Sequence, residues 1–341
     1  MSSDSIRDDM SQMVFNKDDW STSVNGLVFR KVVLELVFYF YEDEALRSRA
    51  AMIKIMEEYA DIFGPKLRWT TNPDTGKWKA LKNGYRSYMT LDEWLMKAGD
   101  GVWEFIYHGA QDRQEAGDIL ICGVGSGIAL AKKGFSRLFC YFPVDDANFS
   151  KSIQELTERA YKWAKMLKPF HGYGGYALAT SHDLIIDSYV ATIVLDSCYS
   201  CTHPGININS FTTDSNHLTK EIKSADWLTF LSDHFLEKLG GSDKIKMQLT
   251  AGDGLVYRPY PGGAMIMAGP RPETGDGIGW DDPVMEPYRQ VGRIVEPIRM
   301  KKHKGYFRTR DIILEGGCKY LSPPQFRVWL ARFSPKETDE S

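Results

Sequence analysis

The sequence predicts an α+β fold in which mixed or antiparallel sheets carry packed helices, and three observations predict it. Two strand-like runs, Leu27 to Tyr41 and Arg137 to Pro143, each lead into a helix-length amphipathic segment. No regular β-α-β-α alternation persists beyond them, which argues against a doubly wound parallel sheet. The 341 residues are 43% hydrophobic with nine Trp, 17 Tyr and 17 Phe, enough for a sizeable core and too apolar for global disorder.

Residues 1–20 and 335–341 read as polar tails around a single large domain at 21–334. Within it, Leu27 to Tyr41 is rich in Val, Leu, Phe and Tyr. A helix follows with Leu46, Ala50, Ile53, Met56, Ala60 and Phe63 on one stripe, stopped by Gly64-Pro65. The second run, Arg137 to Pro143, precedes a helix striped by Ile153, Leu156, Ala160, Trp163 and Leu167. Lys165 and Lys168 favour its C-terminal dipole, and Pro169 ends it. The halves 27–118 and 137–300 are therefore a candidate strand-helix repeat, with the ordinary frequency of β-then-α order as the alternative. Between the two units lie a turn at Asn72-Pro-Asp-Thr-Gly76, a short helix at Leu91 to Lys97 and a hairpin turn near Cys122 to Gly127. Further on, Gly174 to Ala179 and Tyr189 to Leu195 are regular but of undecided type. A third helix is expected with Ser224 as cap, Leu228, Leu231, Phe235 and Leu239 on one side and Gly240-Gly241 as stop. Short strands at Lys246 to Leu249 and Ala264 to Ala268 and a Gly/Pro/acid loop from Pro270 to Pro287 complete the reading.

The net charge of −3 lacks the basic excess of a nucleic-acid binder; it suits a partner with a basic groove and is equally common among ordinary cytosolic proteins. No apolar h-region follows Met1 and no run is long enough to span a bilayer. Five cysteines without an export signal read as reduced thiols, so a cytoplasmic location is expected. Cys122-Gly-Val-Gly-Ser-Gly127 lacks the G-x-G-x-x-G spacing and the following helix of a dinucleotide loop, and no cofactor is expected. Cys198-x-x-Cys201 is half a zinc site with no second pair, and no metal is expected either. His108, His171, His182, His203, His217, His234 and His303 carry no local catalytic signature; His171 and His234 read as structural. Lys301-Lys-His-Lys304 reads as a solvated loop.

The acids read differently. Glu42, Asp43, Glu44, Asp145 and Asp146 sit at the two helix entries, where the dipole alone explains them. If the two strand ends lie side by side, however, these residues form one acidic rim. Glu273, Asp276, Asp281, Asp282 and Glu286 surround Trp280, the composition of an aromatic anchor with a charged surround. Such a surface can imitate phosphates and steer a DNA-binding partner.

Ala225-Asp-Trp-Leu-Thr-Phe-Leu-Ser232, Leu239-Gly-Gly241, Gly262-Gly-Ala-Met-Ile-Met-Ala-Gly-Pro-Arg-Pro-Glu-Thr-Gly-Asp276 and Pro287-Tyr-Arg-Gln-Val-Gly-Arg293 follow one another in a distinctive order. With Gly174 to Leu178 and His203-Pro-Gly-Ile206 before them, they resemble the type VI secretion immunity family of the TsiV kind. The resemblance spans Leu27 to Arg299; the stretch from Thr70 to Asp118 and the tail after Met300 depart from it. It implies a protein that does no chemistry, binds a cognate VRR-Nuc nuclease effector and occludes its DNA-binding or active site. It supplies no catalytic residues. Two other classes stay open: a non-neutralising adaptor or structural protein of the secretion locus, and a hydrolase using His182, Asp187 or His203.

Overall fold

A computed structural model describes residues 13–16, 21–24, 27–41, 47–125, 136–144, 149–180, 203–207, 218, 220–250, 254–275, 282–301 and 329–334. Its frame is one sheet of thirteen strands. They are β1 (Met13–Asn16), β2 (Ser21–Val24), β3 (Leu27–Phe40), β4 (Trp69–Thr71), β5 (Trp78–Ala80), β6 (Trp103–His108), β7 (Leu120–Gly125), β8 (Ser136–Phe142), β9 (His171–Thr180), β10 (Ile206–Asn207), β11 (Leu228–Ser232), β12 (Leu255–Tyr260) and β13 (Gly263–Ala268). The order from edge to edge is β12-β13-β11-β9-β3-β8-β7-β6-β4-β5; β2 joins β1 to β3, and β10 lies against β9. Every strand pair is antiparallel except β10 with β9. Among the described residues the six α-helices are α1 (Arg47–Phe63), α2 (Leu91–Ala98), α3 (Phe149–Leu167), α4 (Asp233–Lys238), α5 (Ser242–Thr250) and α6 (Glu286–Val295). The chain is thus α+β, as its sequence predicts.

The period of two along β3 sorts the interior into two cores. Leu34, Leu36, Phe38 and Phe40 share one core with the apolar faces of all six helices, including Met56, Trp94, Trp163, Phe235, Ile245 and Val291. Val33, Val37 and Tyr39 face the other way, packing with Phe139, Tyr173, Leu218, Met300, Trp329 and Leu330. Helix α3 buries the predicted stripe. In α1 the stripe is rotated: Met52, Ile55, Met56, Tyr59 and Phe63 are buried, whereas Ala50 is exposed. Alanine and isoleucine on two sides of this helix leave the phase to tertiary packing.

Several expectations are corrected. Leu228 to Ser232 is strand β11, wedged between β9 and β13, and only Asp233–Lys238 continues as helix α4. A strand buried on both faces is an unbroken apolar run, which periodicity alone does not separate from a buried helix. Lys246 to Leu249 lies in helix α5, where Ile245 and Leu249 share the buried side. Cys122 to Gly125 are not a turn but the end of β7. The glycines there make room for aromatic rings: a Cβ on Gly125 would overlap the Trp103 indole, and one on Gly123 the Phe105 ring. Pro287 belongs to the first turn of α6, so the preceding loop is shorter than predicted.

The strand ends on which a single acidic rim depends do not lie side by side. Strands β3 and β8 are neighbours, and α1 packs on α3, but the strands run antiparallel: Phe40 faces Ser136 and Phe142 faces Leu34. The exits toward Glu42 and Asp145 therefore lie at opposite ends of the pair, about 20 Å apart at ~3.4 Å per residue. Glu42, Asp43, Glu44, Asp145 and Asp146 themselves lie outside the described residues.

Because β3 is inserted between β8 and β9, neither half of the chain completes its sheet alone, and we propose that 21–334 unfolds as one unit. Phe38→Ala, which empties a fully buried site against Phe230, is expected to cost about 3–5 kcal/mol. Circular dichroism and Trp fluorescence should report one shared transition that shifts together; two separate transitions would contradict a single unit.

Candidate functional site

Three of the sequence-predicted partner residues can be placed: Glu273, Asp282 and Glu286 meet around the start of α6. The helix forms because Tyr288, Val291 and Val295 repeat at helical spacing and are buried. Asp282 Oδ1 accepts a hydrogen bond from the Val284 amide at 3.0 Å and caps the short 3₁₀ turn before it. Glu286 pairs with Arg289 at 2.8 Å and Arg293 at 2.6 Å, and the Arg293 contact holds its carboxyl below the ordinary value. Arg289 also donates to the Asp282 carbonyl at 2.9 Å. Glu273 pairs with Arg271 at 2.7 Å, and its amide donates to the Tyr288 hydroxyl at 3.0 Å. Arg271, Arg289 and Arg293 thus match the three acids in number, and the described part of this surface is charge-balanced. Exposed pairs of this kind contribute about 0–1 kcal/mol each. Asp276, Trp280 and Asp281 lie outside the described residues.

A second electrostatic feature is internal, and no sequence motif marks it. Asp226, Asn207 and Arg332 form a buried knot. Asp226 accepts from the Asn207 side-chain amide and, at 2.7 Å, from the Trp227 backbone amide. Arg332 donates to the Pro204 carbonyl at 2.8 Å and to Asn207 Oδ1 at 3.0 Å, with its guanidinium 3.8 Å from the Trp329 ring centroid. Strand β9 passes close enough that a Cβ on Gly175 would strike the Asp226 carboxylate. Burial pushes the Asp226 carboxyl up to about 7, opposed by Asn207, Arg332, the Trp227 amide and Lys223. Burial lowers Arg332 to about 10 against the attraction of Asp226. The only sequence signals were an acid inside the Ala225-Asp-Trp227 block and an arginine in the Trp329-to-Phe333 run.

The histidines divide. His171 is buried, stacks on Tyr39 at 4.6 Å, and its Nε2 lies 3.1 Å from the Leu218 carbonyl. His234 stacks on Phe170 at 5.5 Å. Burial lowers His108 to about 4, so it is neutral at pH 7. His182, Asp187, His217, His303, Cys198, Cys201 and Cys318 lie outside the described residues. Among the described residues no group of three or more His, Cys, Asp or Glu could hold a metal, and no helix is long and apolar enough to cross a membrane.

This one-sheet α+β architecture is shared with a solved protein of a secretion apparatus. "Pseudomonas aeruginosa T6SS protein PA0821" superposes with a TM-score of 0.73 at 22% identity, over 91% of this chain and 86% of that one. The profile of TsiV, described as type VI immunity for VRR-NUC, matches residues 51–333, and the chain belongs to that family. Membership implies type VI immunity directed at VRR-Nuc effectors. No curated protein matches the sequence.

The raised carboxyl of Asp226 fixes a sign for its pH dependence. Between about pH 4, where an unfolded Asp has ionised, and about pH 7 the folded state retains a proton that the unfolded state has released. Its stabilising contribution is complete below that interval and lost as pH rises through about 7. His108 works oppositely, losing stability as pH falls from about 6.5 toward about 4, so the comparison needs a variant. Thermal melts of wild type and Asp226→Asn should show a wild-type advantage at pH 5 that shrinks by pH 8. A constant or widening gap would contradict this assignment.

Proposed function

We propose that this chain neutralises its cognate VRR-Nuc effector by binding it and covering the surface that contacts DNA, in the cytoplasm where the chromosome is exposed to the toxin. The family match across nearly the whole folded body carries this reading. A nuclease must present positive charge to the phosphate backbone. A protein seated on that surface abolishes cleavage without any reacting group of its own.

The chemistry of the described residues supports occlusion over an enzymatic antidote. Cys122 and Cys140 are fully buried, and burial drives both thiols up, away from the thiolate a nucleophile needs. Asp226 and Arg332 are bonded within the chain. The reading needs no cofactor and no metal.

Co-expression with the cognate VRR-Nuc nuclease domain is expected to restore growth and to yield a co-purifying complex. Growth without a complex would support the hydrolase alternative. A complex without restored growth would support the adaptor.

A further inference from the structure

The stretch from Thr70 to Asp118 carries a surface that neither the family match nor the acid-loop reading assigns. Strand β5 is the last strand of the sheet, and beside the β4–β5 hairpin stands helix α2. A groove of about 490 Å³ there is lined by Tyr88, Met89, Glu93, Met96 and Lys97. Met96 is 69% exposed, and Val102, in the turn after the helix, is 66% exposed. Leu91, Trp94 and Leu95 anchor the opposite side of α2 in the core, so Met96 points outward from a fixed base.

The groove is rigidly built. Thr90 and Glu93 close a capping box, with the Thr90 amide donating to Glu93 Oε2 at 2.8 Å. Asn72 donates to the Tyr88 hydroxyl at 2.7 Å, Tyr107 to the Met89 carbonyl at 2.9 Å, and Arg49 to the Gly99 carbonyl. Such pre-organisation lowers the ordering cost of association.

Its charge is mixed, with an acidic excess: Lys79 lies over the Tyr88 ring, 5.5 Å from its centroid. Lys97 is neutralised by Asp74 at 2.9 Å. Hydrogen bonds from Thr90 hold the Glu93 carboxyl below its ordinary value, and it stays ionised. Asp92 and Asp100 are exposed and have no ion-pair partner among the described residues. Adaptable methionine beside a rigid aromatic, within a negative surround, complements a basic face carrying an apolar side chain. Two rival surfaces lack this combination. In the groove between α1 and α3, Glu58 is matched by Lys162 at 2.6 Å and Glu158 by Arg258 at 2.9 Å. At the far edge, Pro259 of β12 has no amide hydrogen, and its carbonyl is taken by Tyr161 at 2.6 Å.

We propose that the α2 groove, with Met96 as apolar anchor and Asp92, Glu93 and Asp100 as the charged surround, docks the basic face of the nuclease domain. This rests on the binding function proposed above and names its contact surface. Biolayer interferometry would use the full chain against a catalytically inactivated form of the cognate VRR-Nuc nuclease domain, at low and physiological salt. Met96→Arg is expected to weaken binding at least about tenfold, mainly through faster dissociation. Asp92→Lys with Asp100→Lys is expected to slow association and to flatten its salt dependence. Thermal melts check folding; Met96→Ala, which truncates a largely exposed side chain, replaces the arginine variant if that variant lowers Tm, and is expected to weaken binding about threefold. If wild type binds and all variants bind equally well, the groove is refuted while immunity by binding stands. If wild type does not bind, both fall.

Discussion

Strand β3 is held between two strands of the later half of the chain, pairing through Leu34–Phe40 with β8 and through Arg30–Tyr39 with β9. Both of its faces are buried, each in a different core. A slip of one residue would exchange Leu36, Phe38 and Phe40 for Glu35, Val37 and Tyr39 on the helix side and place a carboxylate among the helices. The register is therefore strongly fixed, and with it the placement of everything hydrogen-bonded outward from the centre. The edge bearing β5 and α2 inherits its position through β8, β7, β6 and β4.

Charge is organised by depth. Inside, Asp226, Asn207 and Arg332 join β9, the start of β11 and the residues around Trp329, a set of segments far apart in sequence. Buried charges persist only when paired and hydrogen-bonded, and here each has partners on the chain. At the surface several described acids meet cations: Glu286 with Arg289 and Arg293, Glu158 with Arg258, Glu57 with Arg86. Asp92 and Asp100, beside Met96, have no such cation among the described residues and add negative charge there. Steering of a basic partner acts on such local charge more than on net charge.

The fold class, β3, β8, α2 and α3 were legible because their patterns are long or their caps strong. Thr90 with Glu93 and the Ile153-to-Leu167 stripe each have one reading. β11 was illegible because Leu228 to Leu231 is buried on both faces and carries no alternation. The acid-based site was only partly legible. Composition shows Glu273, Asp282 and Glu286 but not the arginines folded back onto them. The α2 groove was invisible for a different reason: Met96 occupies an ordinary helical position, and only the helix phase shows that it faces solvent while Trp94 and Leu95 are buried.

Occlusion makes one direct demand: the immunity protein and DNA must exclude each other on the nuclease. The deciding measurement is a fluorescence-anisotropy titration of this chain into a catalytically inactivated nuclease domain bound to labelled duplex DNA. Mutual exclusion predicts that anisotropy falls to the free-DNA value at stoichiometric addition, and that excess DNA raises the concentration of chain required. Formation of a stable ternary complex, with anisotropy unchanged or higher, would contradict it.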